Sequence, residues 1–197
     1  MTRIEGVNPE ETDEYTRKVL QAQAKTWGAP LLNHLVYARR PSIFRGVRAM
    51  WTGIATSGLI DATVQALVNR RVAWLNGCEF CQDLNAAVGS RLGLSDEKLL
   101  TLADYATSPL YSEVERVTLE YADSITITGR EVSDAFFARL RQFYDEDALV
   151  ELTEIIAWEN ASSKFNRALR IPSQQLWKRK DEARVAEEGE QRSQGEQ

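Results

Sequence analysis

The reactive side chains of this sequence are concentrated in one short stretch, residues 77–85. Both cysteines of the chain, Cys78 and Cys81, lie there and are separated by two residues. They follow Asn76-Gly77, a pair that ends one helix and leaves the amides of the next helix free. Two thiols on the first turn of a helix can form a short disulfide, and the helix dipole lowers the pKa of the sulfur that points at the amides. The spacing therefore predicts a reversible dithiol.

The neighbours of the two thiols do not decide which sulfur attacks a substrate. Cys78 is nearer the start of the helix, whereas Glu79 and Asp83 raise the pKa of any thiol that they approach. The candidate proton acceptors are Glu79, Asp83 and the only histidine of the chain, His34. A lone histidine among apolar neighbours is commonly a packed or surface residue, so both interpretations of His34 stay open.

Aromatic and polar side chains supply candidates for a pocket. Trp74 and Phe80 flank the thiols and are the aromatic residues that we expect to line a substrate pocket. Four polar residues recur on an otherwise apolar helix near the end of the sequence. They form a polar helix face, a helix-end ion pair or part of a cleft near the dithiol: Glu159, Asn160, Asn166 and Arg167.

The two cysteines are a weak signal for a metal. A structural zinc ion takes four ligands, and this chain offers two cysteines and one histidine. In a reducing cytosol a Cys-x-x-Cys pair is typically catalytic or metal-binding rather than a structural staple. We expect no metal and no cofactor, and the alternative to a working dithiol is a pair of inert cysteines.

The composition excludes several functional classes. The chain has 197 residues, 43% of them hydrophobic, and a net charge of −5, which suits one globular domain and gives no electrostatic footprint for nucleic acid. No apolar run reaches the ~18 to 20 residues that a bilayer span needs, and the first residues lack the apolar core of a signal peptide. The expected location is cytoplasmic, with no nucleic-acid or membrane partner.

Periodicity and capping residues predict a chain that is nearly all helix. Apolar residues at helical spacing alternate with Gly, Pro and capping side chains, and no alternating run typical of a strand extends beyond a few positions. The composition changes at 178–197, which mixes charge with Gln, Gly and Ser and is predicted to be a frayed or disordered tail after a single domain at 1–177. The predicted helices are 9–27, 31–38, 41–58, 61–75, 78–91, 112–129, 134–144 and 146–169.

The run from Leu67 to Cys81, ending in Asn-Gly-Cys-Glu-Phe-Cys, resembles the signature of the carboxymuconolactone decarboxylase and alkyl hydroperoxidase D superfamily. The similarity covers roughly residues 40–170 and continues through 115–122, 149–157 and 166–169. It implies an all-α, multi-helix bundle that assembles as a homo-oligomer: a dimer, trimer or hexamer. In the hydroperoxidase branch it also implies a dithiol that reduces a hydroperoxide and is itself reduced by a dithiol or protein reductant.

The sequence departs from that branch at the proton relay. Its members carry a His four residues after the second cysteine and a Glu twelve before the first; here those positions are Asn85 and Ala66. The resemblance assigns the peroxidatic role to Cys81 and the resolving role to Cys78, but it assigns the relay to nothing. Asn85 lies one helical turn from Cys81 and can hydrogen-bond its sulfur without accepting a proton. General acid–base help contributes ~10² to 10⁴ in rate, so we expect a weak peroxidase unless other groups substitute.

Three functions follow from these observations. The first is a thiol-dependent peroxidase or disulfide oxidoreductase, which the retention of both cysteines favours. The second is a redox-sensing or non-catalytic oligomer, which the loss of the relay favours. The third is a lyase of the lactone-decarboxylating type, which the resemblance around the dithiol does not favour.

Overall fold

The computed structural model describes residues 2–179. Within them the chain forms nine α-helices and no β-strand, which confirms the all-helical fold class. Short 3-10 helices at Pro9–Glu11 and Leu102–Asp104 precede α1 and follow α6. The α-helices are α1 (Glu14–Trp27), α2 (Leu32–Tyr37), α3 (Pro41–Ser57), α4 (Ala62–Leu75), α5 (Glu79–Arg91), α6 (Asp96–Leu100), α7 (Glu113–Thr126), α8 (Asp134–Leu140) and α9 (Glu146–Ala168).

Most helices begin where a capping residue predicts a start. The side chain of Asp61 accepts hydrogen bonds from the backbone amides of Thr63 and Val64 at the start of α4. Ser112 and Glu115 form a reciprocal capping box at the start of α7. These side chains satisfy amides that have no partner within their own helix. The polar residues between apolar runs therefore set the lengths of the helices that hold the site.

Three predicted boundaries are wrong by several residues. The first helix was expected from residue 9, but α1 begins at Glu14 because Asp13 is extended and caps it. Helix α7 ends at Thr126 rather than residue 129, since Ile127 has extended backbone angles. Helix α8 ends at Leu140 rather than residue 144. In each case a local cap or turn overrides apolar periodicity that continues past the end of the helix.

The centre of the fold is formed by α4, α5, α7 and α9, with α4 packed against the other three. Burying a Val, Leu or Ile side chain stabilises the folded state by about 1.5–3 kcal/mol. Because α4 leads into the cysteine turn, its packing on α9 fixes the position of the thiols. The side chains at this centre are fully buried: Val68, Val72, Ala122, Leu152 and Ile156.

A buried ion pair joins α4 to α7. Arg71 Nε and Nη2 donate to the two carboxylate oxygens of Asp123 at 2.6 and 2.8 Å. The hydroxyl of Tyr105 donates to the same carboxylate at 3.0 Å. A buried pair of this kind costs about 3–5 kcal/mol to break when one partner is removed, because the other charge stays uncompensated. The pair therefore fixes the alignment of the two helices.

The segment after α9 is tied back across α5. The carboxylate of Asp83 accepts hydrogen bonds from the Ser173 side chain and from the backbone amides of Gln174, Leu176 and Trp177. Across residues 2–179, no helix has the length and apolar character needed to cross a membrane. Of the tail predicted at 178–197, residues 180–197 lie outside the described residues, so the division between domain and tail stays a prediction.

Candidate active site

The turn between α4 and α5 sets the position of the two cysteines. Gly77 has a φ of +63°, in the left-handed region that side chains rarely adopt. The backbone amide of Cys78 donates to the carbonyl of Ala73 at 2.9 Å, which closes the end of α4. The side-chain amide of Asn76 donates to Asn160 Oδ1 at 2.9 Å and ties the turn to α9. The Asn-Gly pair that predicted a helix end therefore also fixes the direction in which α5 starts.

Cys78 and Cys81 form a disulfide across the first turn of α5. Cys78 is the N-cap residue, and its Sγ accepts a hydrogen bond from the backbone amide of Cys81 at 3.2 Å. On the other sulfur, Asn166 Nδ2 of α9 donates to Cys81 Sγ at 3.2 Å. The two cysteines are only 1% and 3% exposed. After reduction, donors in these positions would stabilise a thiolate on either sulfur, because a hydrogen bond favours the charged form that accepts it.

A cavity of about 290 Å³ lies against Cys81. Its apolar walls include Trp27 of α1, Trp51 of α3 and Phe80 of α5. The cavity is therefore closed partly by the amino-terminal helices, which meet the dithiol only in the folded chain. Its polar walls come from α2, α3, α4, α5 and α9: Asn33, His34, Arg48, Gln65, Asn69, Asn85, Glu159, Ser162 and Asn166.

Glu159 places a carboxyl group on the cavity wall. Its side chain is 3% exposed, and Ser163 Oγ donates to Glu159 Oε1 at 2.8 Å. Burial raises the pKa of Glu159 to about 8, against the opposing effect of hydrogen bonds from Ser163 and Asn85. The carboxyl group is therefore neutral at pH 7 and can donate a proton. Asn85 stands at the position of the family's relay histidine. Glu159 therefore supplies a titratable group next to that position.

His34 lines the same cavity but is a poor proton acceptor. Burial, and secondly the charge of Arg48, lower the pKa of His34 to about 3. The side-chain amide of Gln23 donates to His34 Nδ1, so the neutral ring carries its proton on Nε2. The same Gln23 accepts from the backbone amide of Leu31 through its Oε1, which fixes the orientation of the amide. His34 is thus suited to hydrogen-bond donation at neutral pH.

Of the other predicted site residues, one lines this cavity and three lie away from it. Phe80 lies in its wall, whereas Trp74 is 49% exposed and lies beside the Arg71 guanidinium, 4.7 Å from the ring centroid. Glu79 is exposed and borders a different groove, next to Cys78. The carboxylate of Asp83 accepts hydrogen bonds from the segment after α9. The structure therefore does not bring Trp74, Glu79 or Asp83 to the cavity at Cys81.

Four polar residues of α9 that the sequence left open to more than one interpretation all lie near the dithiol. Glu159 and Asn166 face the dithiol side of α9, while Asn160 and Arg167 bond to the turn before α5 through Asn76. The signal that could find them was a polar side chain every three or four residues on an apolar helix. Nothing in the sequence predicted that Trp27 and Trp51 line the cavity, because their positions depend on how the first helices pack.

The cysteines are not part of a larger cluster of ligating side chains. Within residues 2–179, no three His, Cys, Asp or Glu side chains gather in a group that could hold a metal ion. The geometry around the two sulfurs is that of a disulfide.

The raised pKa of Glu159 makes folding stability depend on pH. The carboxyl group has a pKa near 4.5 when it is exposed in the unfolded chain and about 8 in the folded chain, so the folded chain holds a proton that the unfolded chain releases. Stability of the oxidised protein should therefore fall between about pH 5 and 8, by up to about 1.4 kcal/mol per pH unit from this group. The Glu159→Gln protein should lack this slope and should match the parent near pH 5. Guanidinium unfolding at pH 5, 6.5 and 8 measures both proteins, and parallel slopes would contradict the assignment.

The fold and the site together define an all-helical dithiol protein. The model of the carboxymuconolactone decarboxylase family matches residues 41–124 of the chain. The chain belongs to this family, which confirms the membership predicted from the motif at Cys78 and Cys81.

Known proteins resemble the chain in sequence and in fold. The uncharacterized protein YnjA of Escherichia coli is 45% identical over 118 residues, which are 59% of this chain and 64% of that protein. The match thus spans slightly less than two thirds of that relative. ATU0492 of Agrobacterium tumefaciens, a protein of unknown function with a suggested identity as the antioxidant defence protein AhpD, is 27% identical with a TM-score of 0.67, covering 70% of this chain and 94% of that one.

A second solved structure shows how widely the fold is used. The debrominase Bmp8 superimposes with a TM-score of 0.77 at 18% identity, covering 87% of this chain and 91% of that one. At this identity the likeness concerns the fold alone. The alkyl hydroperoxidase D-like fold is therefore shown, and the choice of activity depends on the chain's own site.

Proposed function

We propose that the chain is a thiol-dependent peroxidase, a disulfide oxidoreductase that reduces a hydroperoxide with its Cys78–Cys81 dithiol. The observation that carries the proposal is that Cys81 and the neutral carboxyl group of Glu159 border the same cavity. A nucleophilic sulfur and a proton donor are the two groups that cleavage of an O–O bond requires. Membership of the family and the AhpD-like fold are consistent with this chemistry.

The first step uses Cys81 as the nucleophile. The Cys81 thiolate, held by Asn166 Nδ2, attacks the terminal oxygen of the hydroperoxide, and the O–O bond breaks. Glu159 gives its proton to the departing alkoxide oxygen, so that an alcohol leaves rather than an anion. Cys81 becomes a sulfenic acid and has been oxidised by two electrons.

The second step uses Cys78 as the resolving thiol. Its sulfur lies within bonding reach, as the disulfide across the first turn of α5 shows. The Cys78 thiolate attacks the sulfur of the sulfenic acid, the S–O bond breaks, and the leaving hydroxide takes up the proton that the Cys78 thiol lost, so that water leaves and the disulfide forms. Glu159 regains its proton from solvent, and two electrons from a reductant reopen the disulfide.

Glu159 and Asn85 together support the replacement of the family's relay. Asn85 cannot carry a proton, but it hydrogen-bonds Glu159, which can. The carboxyl group comes from α9 instead of α4 or α5, so a change of helix compensates for Ala66 and Asn85. The pKa of about 8 is near the operating pH, which suits a group that must both donate and recover a proton.

The cavity supports a compact substrate with an apolar body. Its volume of about 290 Å³ is at the lower end of small-molecule sites, and Trp27, Trp51 and Phe80 supply aromatic walls. Polar groups such as His34 and Asn166 lie among these walls and can orient a hydroperoxide group. We propose small organic hydroperoxides as the substrate class.

The second candidate is a redox-sensing or non-catalytic protein. The burial of both cysteines favours it, because a thiol that is 1% or 3% exposed meets reagents slowly. Such a protein would form its disulfide without repeated turnover. The third candidate, a decarboxylating lyase, would release carbon dioxide from a lactone acid at a rate that does not depend on either cysteine.

We also propose that the chain assembles as a homo-oligomer. Several large apolar side chains are at least half exposed in the single chain, and contact with a second copy would remove them from water. They lie on α3, after α3, at the end of α6 and on α9: Ile43, Leu59, Leu100 and Val150.

Mixing the fully reduced protein with one equivalent of tert-butyl hydroperoxide tests the proposal. We expect two thiols per chain to disappear within seconds and the disulfide to appear at the same rate, because the nucleophile and the proton donor are already in place. Alkylation after an acid quench counts the remaining thiols. Thiols that persist for many minutes, as in an unactivated cysteine, would reject the peroxidase and leave the second candidate.

A further inference from the structure

The two cysteines of the disulfide line two different cavities. Cys81 borders the cavity that holds Glu159, whereas Cys78 borders a groove of about 370 Å³. Besides Cys78, the groove is lined by Gly77, Glu79, Arg167, Arg170 and residues 171–172 just after α9. The proposed oxidant route and this groove therefore meet different cysteines of the same disulfide.

The groove carries positive charge. Arg167 and Arg170 are both exposed, and within residues 2–179 neither has a carboxylate at ion-pair distance. Arg167 Nη1 donates to the carbonyl of Asn76 at 3.1 Å, which holds its guanidinium beside the cysteine turn. Among the described residues, Glu79 is the one acidic side chain in the lining. Within residues 2–179 the groove therefore has two guanidinium groups without a carboxylate partner and one carboxylate beside Cys78.

The side chain of Arg167 packs close to Gly77. A Cβ placed on Gly77 would lie 3.7 Å from Arg167 Cζ, an ordinary contact distance. The guanidinium of Arg167 therefore lies against the turn that carries Cys78. A groove of this volume is within the size range of small-molecule sites.

We propose that this groove admits the reductant, and that the reductant is a low-molecular-weight thiol carrying a carboxylate, which attacks Cys78. The inference rests on the proposed function, because only a dithiol that turns over needs a route for its reductant. Attack on a disulfide sulfur proceeds in line with the sulfur that leaves. An attacker of Cys78 must therefore come from the side away from Cys81, and the groove is lined by Cys78 but not by Cys81.

The reduction balances with two molecules of thiol. The first thiolate forms a bond to Cys78 Sγ as the Cys78–Cys81 bond breaks, and Cys81 leaves as a thiolate that Asn166 Nδ2 stabilises. The second thiolate attacks the reductant's sulfur in the mixed disulfide, which releases an oxidised small disulfide and the Cys78 thiolate, which takes a proton from solvent. Two electrons pass from the two thiols to the protein. Cys81 is thereby returned to the cavity in its nucleophilic form.

The first test locates the mixed disulfide. Oxidised full-length protein is mixed with excess 3-mercaptopropionate, quenched with acid at early times, alkylated, digested and sequenced by mass spectrometry. We expect the mercaptopropionate adduct on Cys78 and the alkyl group on Cys81. An adduct on Cys81, with the alkyl group on Cys78, would overturn the proposal.

The second test measures the contribution of charge. Disulfide reduction is timed with 3-mercaptopropionate, neutral 2-mercaptoethanol and cationic cysteamine, in the parent and in Arg170→Gln. Losing one of two cationic groups should slow the anionic thiol about 3- to 10-fold, leave the neutral thiol unchanged and speed the cationic thiol. Each ratio compares one thiol with itself, so intrinsic thiol reactivity cancels. Added salt should shrink the effect on the anionic thiol.

Matched controls separate this proposal from the proposed function. Arg141→Gln removes an exposed arginine at the end of α8, outside the groove, and should change none of the three rates. Equal slowing of all three thiols by Arg170→Gln, or reduction by a thioredoxin but by no small thiol, would reject the proposal. Because the starting protein is already oxidised, these outcomes do not depend on whether peroxide forms the disulfide.

Discussion

Replacing Cys81 with serine is expected to slow peroxide reduction by roughly 10³-fold or more, because the nucleophile itself is removed. Replacing Cys78 with serine should leave the first step intact but remove the thiol that resolves it. The Cys78→Ser protein should therefore stop at a sulfenic acid on Cys81 after consuming one peroxide. Trapping with dimedone, followed by mass spectrometry, identifies the oxidised residue in each variant.

The opposite result would reverse the roles of the two sulfurs. Cys78 is the N-cap and accepts the Cys81 amide, so helix polarity also favours a thiolate there. A Cys81→Ser protein that keeps the parent's rate and gives a trapped sulfenic acid on Cys78 would make Cys78 the attacking thiol. The double variant, without either cysteine, gives the background of peroxide loss and of dimedone labelling.

The helices and the dithiol could be predicted because their causes are local. A capping residue such as Ser112 or Asp61 acts on amides within one turn, and the Asn-Gly pair before Cys78 acts on its own turn. Where prediction failed, as at Glu14, the competing signal was also local: Asp13 caps the helix four residues after Pro9. Apolar periodicity shows which face is buried but does not show where a helix stops.

The cavity could not be predicted because its walls come from distant parts of the chain. Trp27 reaches Cys81 only through the packing of the first helices on α5 and α9, and a sequence pattern carries no such pairing. The prediction that Trp74 lines the pocket is wrong for a related reason. Proximity in sequence to Cys78 does not decide on which face of α4 a side chain lies, and Trp74 lies on an exposed face. Glu159 was visible as a polar residue on an apolar helix, but its burial and its pKa are properties of the fold.

Replacing Glu159 with glutamine is expected to lower kcat/KM for peroxide reduction by about 10²-fold, at the lower end of the range for general acid–base groups. Glutamine keeps the shape and a hydrogen-bond donor but cannot transfer a proton. The parent should also lose activity above about pH 8 as Glu159 ionises, while the variant should only gain activity with pH as the thiolate forms. Stopped-flow rates of peroxide consumption between pH 6 and 9.5 measure both effects.

Two further variants make this prediction specific to the proton of Glu159. Glu154→Gln changes a carboxyl group on the same helix that does not line the cavity, and it should keep the parent's rate and pH profile. Glu159→Ala leaves space for a small carboxylic acid, so added formic or acetic acid should restore part of its activity in proportion to the protonated form. If Glu159→Gln keeps both the rate and the alkaline decline, the proton comes from another group.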